Sequence, residues 1–122
     1  MIGNYILVFV YSYLSGTIPG AYIIGKLLGK VDVRSKGTGN LGAMNTYEVT
    51  GKAGYGVMVL LIDLLKGLLA VFITIQLFGG FFNLILVSSF AAVAGHNYNV
   101  FLKFGGGRGL ATSVGCLLLV NP

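Results

Sequence analysis

The chain has 122 residues, 56% of them hydrophobic and 9% charged, with 20 glycines and a formal net charge of +5. A soluble domain carries roughly 25% charged residues, so this composition excludes an ordinary soluble globular protein and points to an integral membrane protein. The basic excess lies beside apolar runs, which ties it to topology and anionic ligands and argues against nucleic acid as a partner.

The first apolar segment, Tyr5–Leu28, exceeds the roughly 20 residues that a span needs. It has no positive leader before it and is too long for a signal-peptide core, so it reads as a retained first helix. Ser12, Gly16 and Gly20 recur at four-residue spacing, which places small residues on one helix face. Pro19 in the same span is expected to kink the helix and free a backbone carbonyl.

A polar, glycine-dense stretch, Arg34–Asn45, comes next, and the second apolar segment, Gly54–Phe78, follows it. The third, Phe81–Gly95, reaches span length only if it begins at Gly79 or extends to Phe101 and Leu102. A second polar, glycine-rich stretch, His96–Thr112, leads into Leu110–Val120, which is too short to cross a bilayer alone and stops at Asn121-Pro122. The predicted fold is all-α: a polytopic transmembrane bundle of about three full helices plus a shortened fourth, forming one membrane domain over residues 1–122. Lys26, Lys30, Arg34, Lys36 and Lys52 surround the first connection, Gln76–Asn83 carries no charge, and Lys103 and Arg108 lie in the third. The positive-inside rule then predicts an outside N-terminus and two cytoplasmic glycine-rich loops.

Within the first loop, Gly37-Thr38-Gly39-Asn40-Leu41-Gly42 fits the dinucleotide pattern G-x-G-x-x-G. That pattern carries meaning only between a strand and a helix, and membrane spans offer no such sheet. The physical content of the glycines survives. Gly37 and Gly39 let the backbone approach a ligand, and successive N–H groups can form an anion nest. Asn40 and Asn45 add amides, Thr38 a hydroxyl, and Arg34 and Lys36 charge. A bland connecting loop is the competing reading.

Gly106, Gly107 and Gly109 surround Arg108 just before a helix start, where unpaired N–H groups and the helix dipole favour an anion. The Arg108 guanidinium matches phosphate oxygens, and a plain flexible connector is the alternative. Asp63 and Lys66 lie deep in the second span at i,i+3 spacing, fit either for function or for a packing pair. His96, the only histidine, suits a general base or a hydrogen bond that fixes the loop. With Cys116 as the only cysteine, and on another segment, no metal site is expected.

Taken together, Ser15-Gly16-Thr17-Ile18-Pro19, Gly25-Lys26, Asp32-Val33-Arg34 and Gly37-Thr38-Gly39-Asn40 resemble the PlsY-type acyl-phosphate:glycerol-3-phosphate acyltransferases. So do Asp63-Leu64-Leu65-Lys66-Gly67, Gly95-His96, Val100-Phe101-Leu102-Lys103-Phe104 and Gly106-Gly107-Arg108-Gly109-Leu110-Ala111-Thr112. The resemblance implies a bacterial inner-membrane enzyme that moves a fatty acyl group from acyl phosphate to glycerol 3-phosphate, giving lysophosphatidate, with no cofactor. It implies catalytic roles for Thr38, Arg108 and His96. Phosphate or substrate contacts are implied for Arg34, Lys36, Gly37, Gly39, Asn40, Asn45, Lys103, Gly106, Gly107, Gly109 and Thr112. The chain departs from the family pattern at Thr38 (usually serine), Met44 (threonine), Glu48 (arginine), Arg108 (lysine) and Asn99 (proline), the last expected to loosen its loop. The family's C-terminal third is absent from the sequence. The alternatives are a non-catalytic membrane protein that binds anionic lipid or phosphate, a subunit completed by a second polypeptide, and a small transporter suggested by Asp63 and Lys66.

Overall fold

A computed structural model describes residues 2–120; Asn121-Pro122, where the last apolar segment was expected to stop, lie outside the described residues. The described residues form α1 (Ile2–Gly16), α2 (Gly20–Leu27), α3 (Ala43–Thr50), α4 (Ala53–Phe78), α5 (Phe82–Asn97) and α6 (Leu110–Leu117). Single 3-10 turns at Val33–Ser35 and Val100–Leu102 sit in the two polar loops. The all-α expectation holds: α1 and α2 together cover the first apolar segment, and α4, α5 and α6 follow the other three.

Two stretches are long and apolar enough to cross a membrane, Ile2–Leu27 and Ala53–Phe78. Helix α4 has 26 residues, about 39 Å at the standard rise. Helix α5 has 16 residues, about 24 Å by the same measure. Leu7, Phe9, Leu61, Leu65 and Phe90 point outward, while Ser12, Thr74 and Ser88 are fully buried. A protein surrounded by lipid gains nothing by hiding apolar side chains from its solvent, so its helices meet through small and polar groups instead.

Those meetings are close. Gly16 of α1 lies against the Ala92 carbonyl of α5, and Gly95 of α5 lies against the Tyr13 carbonyl, with no room for a Cβ at either position. The Ser12 and Ser88 hydroxyls hydrogen-bond at 2.7 Å one turn further along. The Tyr11 and Thr74 hydroxyls join α1 to α4 at 2.6 Å. Further along α4, Gly67 meets the Thr112 carbonyl of α6, and Gly115 of α6 meets the Leu64 carbonyl. Cys116 is buried and donates weakly to the Gly67 carbonyl at 3.6 Å.

At Pro19 the structure goes further than the predicted kink. The first span breaks into α1 and α2, with Thr17, Ile18 and Pro19 between them. Proline has no N–H to continue the ladder and its ring crowds the preceding turn. The carbonyls at the break receive side chains from elsewhere, Ile18 O in addition to the Gly20 N–H at 3.1 Å. Asn99 Nδ2 donates to Thr17 O at 2.7 Å, and Lys66 Nζ donates to Ile18 O at 2.9 Å.

Candidate functional site

The first polar loop is organised by Asn45, which is 3% exposed. Its Nδ2 donates to the carbonyls of Val33 (3.1 Å), Asn40 (2.9 Å) and Lys36 (3.3 Å), and its Oδ1 accepts from the Thr38 N–H at 3.1 Å. Three carbonyls share two hydrogens, so the Asn45 amide nitrogen is spent on the loop and has no hydrogen left for an anion. Gly37 turns the chain at φ +55 directly against the Asn45 amide, where a Cβ has no space. Thr38 Oγ accepts from the Asn40 N–H at 3.3 Å, which leaves the hydroxyl hydrogen of this exposed side chain free.

Arg34 is also occupied. Its Nε and NH2 groups form a fork on Asp32 at 3.0 and 2.7 Å, and its guanidinium lies 4.8 Å from the Tyr22 ring centroid. The Arg34 hydrogen bonds hold the Asp32 carboxyl below the usual carboxylate range. Asp32 caps its own 3-10 turn as well, accepting from the Arg34 N–H at 3.0 Å.

The second polar loop hangs from Asn99, which is 3% exposed. Besides holding Thr17 O, its Oδ1 accepts from the Phe101 N–H at 2.9 Å, and its backbone N–H donates to Gly105 O at 3.0 Å. Its backbone oxygen accepts from Leu102 and Phe104 at 3.0 and 2.7 Å. The expectation that asparagine loosens this loop is therefore corrected: Asn99 fastens the loop to the helix break. The loops also touch, since the Leu41 N–H donates to Gly106 O at 3.2 Å. Both glycine-rich stretches thus lie at one end of the bundle.

The predicted residues divide between two cavities. The larger, about 560 Å³, is bordered by Thr38, Asn40, Gly42, Asn45, Asp63, His96, Arg108 and Gly109, and by apolar Leu60, Leu64 and Val114. The other, about 480 Å³, is bordered by Arg34, Gly39 and Lys103 with Asp32, Ser35 and Leu41. Lys36 is exposed and borders neither cavity, and Gly106 is packed tightly against the His96 and Asn97 carbonyls. Thr112 is fully buried with its Oγ unpartnered, and its backbone faces Gly67.

Two helices begin at the larger cavity. Helix α3 starts after Gly42 and α6 after Gly109, and neither has a side-chain cap. Gly109 takes φ +82, a left-handed conformation with no room for a Cβ beside Asn97 Oδ1 at 2.7 Å. An uncapped helix start leaves first-turn N–H groups open and concentrates about half a positive charge there. Arg108 is the one cation bordering this cavity, and Glu48 of α3 borders it too.

Below the loops lies a buried polar cluster. Lys66 Nζ sits 3.2 Å from Asp63 Oδ1 and 2.7 Å from His96 Nδ1, while also donating to Ile18 O. Asp63 and Lys66 are each 3% exposed and His96 is 7% exposed. The Asp63 contact is a charge pairing without hydrogen-bond geometry, so Oδ1 is otherwise unpartnered. Ser15 Oγ donates to Lys66 O at 2.7 Å, tying α1 to the same turn of α4. Neither α3 nor this three-residue cluster was expected from sequence. The glycine at Gly51, which ends α3 at φ +71, was the available signal for the helix.

Comparison with known proteins accords with this architecture. Residues 6–122 match the family described as glycerol-3-phosphate acyltransferase. The chain belongs to that family. It is 44% identical to glycerol-3-phosphate acyltransferase 2 of Moorella thermoacetica, over 97% of this chain and 59% of the relative. It is 44% identical to the glycerol-3-phosphate acyltransferase of Halalkalibacterium halodurans, over 95% of this chain and 56% of the relative. Among solved structures, it resembles PlsY (YgiH), an integral membrane glycerol 3-phosphate acyltransferase, in its glycerol 3-phosphate form. The TM-score is 0.84 at 39% identity, over 97% of this chain and 58% of PlsY. The lysophosphatidic acid form of PlsY gives a TM-score of 0.81 at 38% identity. The chain therefore spans a little under three fifths of the length of these relatives.

Proposed function

We propose that this chain forms the phosphate-binding half of a membrane acyltransferase that acylates glycerol 3-phosphate with acyl phosphate. The observation that carries the reading is the meeting of two uncapped helix starts, Arg108, Thr38 and His96 on one cavity that also has an apolar wall of Leu60, Leu64 and Val114, with Glu48 and Asp63 as its carboxylates. Helix dipoles and a guanidinium favour a phosphate there, and Leu60, Leu64 and Val114 suit the start of an acyl chain. Arg34 and Lys103 lie on the other cavity, and there a second phosphate would find Lys103 free and Arg34 already paired with Asp32. Lys36, Gly37, Gly39 and Asn45 support the loop in this reading, and Gly106 and Thr112 support helix packing.

In the reaction, the hydroxyl oxygen of glycerol 3-phosphate bonds to the acyl carbon, and the bond from that carbon to the phosphate oxygen breaks. The hydroxyl proton passes to the departing phosphate, so no protein base is needed. Catalysis then comes from positioning and from stabilising negative charge. The same reading places the glycine-rich loops at the cytoplasmic face of a bacterial inner membrane, with the N-terminus outside, as the basic residues indicate.

Liposomes containing this chain, acyl phosphate and labelled glycerol 3-phosphate test the activity directly. A parallel sample adds a second polypeptide carrying the C-terminal portion of a relative. Labelled lysophosphatidate in the second sample alone supports a site completed by another polypeptide, and product in neither sample sinks the enzymatic reading. Glu48 favours a second reading, since a carboxylate bordering the anion cavity opposes the approach of doubly charged phosphate. On that reading the chain binds phosphate or anionic lipid without transferring an acyl group.

A further inference from the structure

We infer that Lys66 is a positioning residue that fixes His96 in the tautomer protonated at Nε2, so that His96 offers the anion a hydrogen instead of withdrawing one. This deepens, and rests on, the phosphate-binding reading of the larger cavity. An imidazole nitrogen 2.7 Å from a lysine nitrogen accepts when the lysine is an ammonium, because an ammonium has three hydrogens and no lone pair. Asp63 Oδ1 lies 3.2 Å from Nζ and 3.7 Å from Nδ1, so its negative charge is set nearer the lysine, and Ile18 O takes another of the lysine's hydrogens. Nδ1 must then present its lone pair, and a neutral ring carries its single hydrogen on Nε2.

Nε2 is placed where that hydrogen matters. It lies against Gly107, on the face where a Cβ would strike the ring, and the ring's hydrogen bond to Lys66 is made by the other nitrogen. His96 borders the larger cavity beside Arg108, Thr38 and the α6 start. A buried ring with one nitrogen held by lysine and the other facing Gly107, at a cavity that Arg108 and the α6 start also border, is arranged as a donor. Lys66 itself does not border that cavity and acts through the ring.

The chain has one histidine, so nitrogen NMR of 15N-histidine-labelled protein in lipid nanodiscs reads this site alone. The expected spectrum has an unprotonated signal for Nδ1 and a protonated signal for Nε2. Lys66→Met should collapse that bias to a mixture of tautomers, and Lys66→Arg should restore it. A wild-type spectrum protonated at Nδ1 overturns the inference, as does a Lys66→Met spectrum identical to wild type. If Lys66→Met fails to fold, the wild-type and Lys66→Arg spectra still decide. Titration with inorganic phosphate addresses the separate matter of the ligand. A locked tautomer whose Nε2 signal ignores phosphate leaves the lysine–histidine arrangement standing and removes the anion site.

Discussion

Replacing Gly95 by alanine adds one methyl group at the contact between α1 and α5. That methyl meets the Tyr13 carbonyl oxygen and lies 3.0 Å from both Cα and C of Gly16. All three are backbone atoms, so no rotamer change relieves the clash and the helices must move apart. Overpacking of this kind costs about 1–3 kcal/mol, and the rigidity of the neighbours places it in the upper half of that range. Alanine recovers roughly 0.5–1 kcal/mol of helix propensity, leaving a net loss of about 1–2 kcal/mol. At about 3–5 °C per kcal/mol for a chain of this length, the unfolding midpoint should fall by roughly 3–10 °C. Cys116 is the only cysteine and is buried, so a thiol-reactive fluorophore reports unfolding in detergent without further engineering. Gly54→Ala provides the control, because it lies in α4 with nothing within 4 Å of an added Cβ. Its midpoint should stay level or rise. If Gly95→Ala matches Gly54→Ala, the backbone-on-backbone account of this interface is wrong.

Arg108→Gln removes the one cation bordering the larger cavity. Charge-assisted hydrogen bonds are worth about 1.5–3 kcal/mol, so phosphate binding measured by calorimetry should weaken by roughly 10–100-fold. Glu48→Gln should act in the opposite direction, tightening phosphate about 2–5-fold, the scale of a single charge near a helix start; unchanged affinity would mean that Glu48 does not feel the bound anion. Asn99→Ala leaves Thr17 O without its donor and should lower the unfolding midpoint by an amount corresponding to about 1–3 kcal/mol. The Asp32–Arg34 link should persist at neutral pH and be lost only in strong acid. Because Asp32 titrates below its ordinary value of 3.8, its contribution is complete above that value and disappears as pH falls through the depressed one. Proteolysis of the first loop across that range, with Asp32→Asn insensitive to pH, checks the sign.

Helix α4 was legible because an apolar run of that length has few other fates, and the break at Pro19 was half legible because proline's missing N–H is a local fact. What takes up the released carbonyls was not legible. Lys66 and Asn99 reach them from positions 48 and 82 residues later in the chain, and no periodicity encodes such a meeting. Helix α3 escaped for a different reason: it is short and polar, so it lacks the apolar stripe that marks longer helices. The cations were visible as a cluster, yet whether each is free depends on its neighbours. Arg34 is consumed by Asp32, and Arg108 borders a different cavity from Arg34. Asn45 looked like a ligand amide because its type suits one; only the three carbonyls converging on it reveal a structural use.

The broken first span also bears on the order of assembly. Thr17 O emerges from the ribosome well before the Asn99 side chain that caps it, and Ile18 O before Lys66 adds to its local bond from the Gly20 N–H; an unsatisfied backbone group in lipid costs several kcal/mol. A nascent chain ending before Lys66 has neither side-chain donor, and one ending between Lys66 and Asn99 has only the lysine. The first segment should therefore sit shallowly or sample an interfacial position in the shortest chains and settle to full depth in steps as the two later residues arrive. Glycosylation-distance mapping on chains of graded length would register those steps, which makes the break at Thr17–Pro19 a timer for membrane insertion.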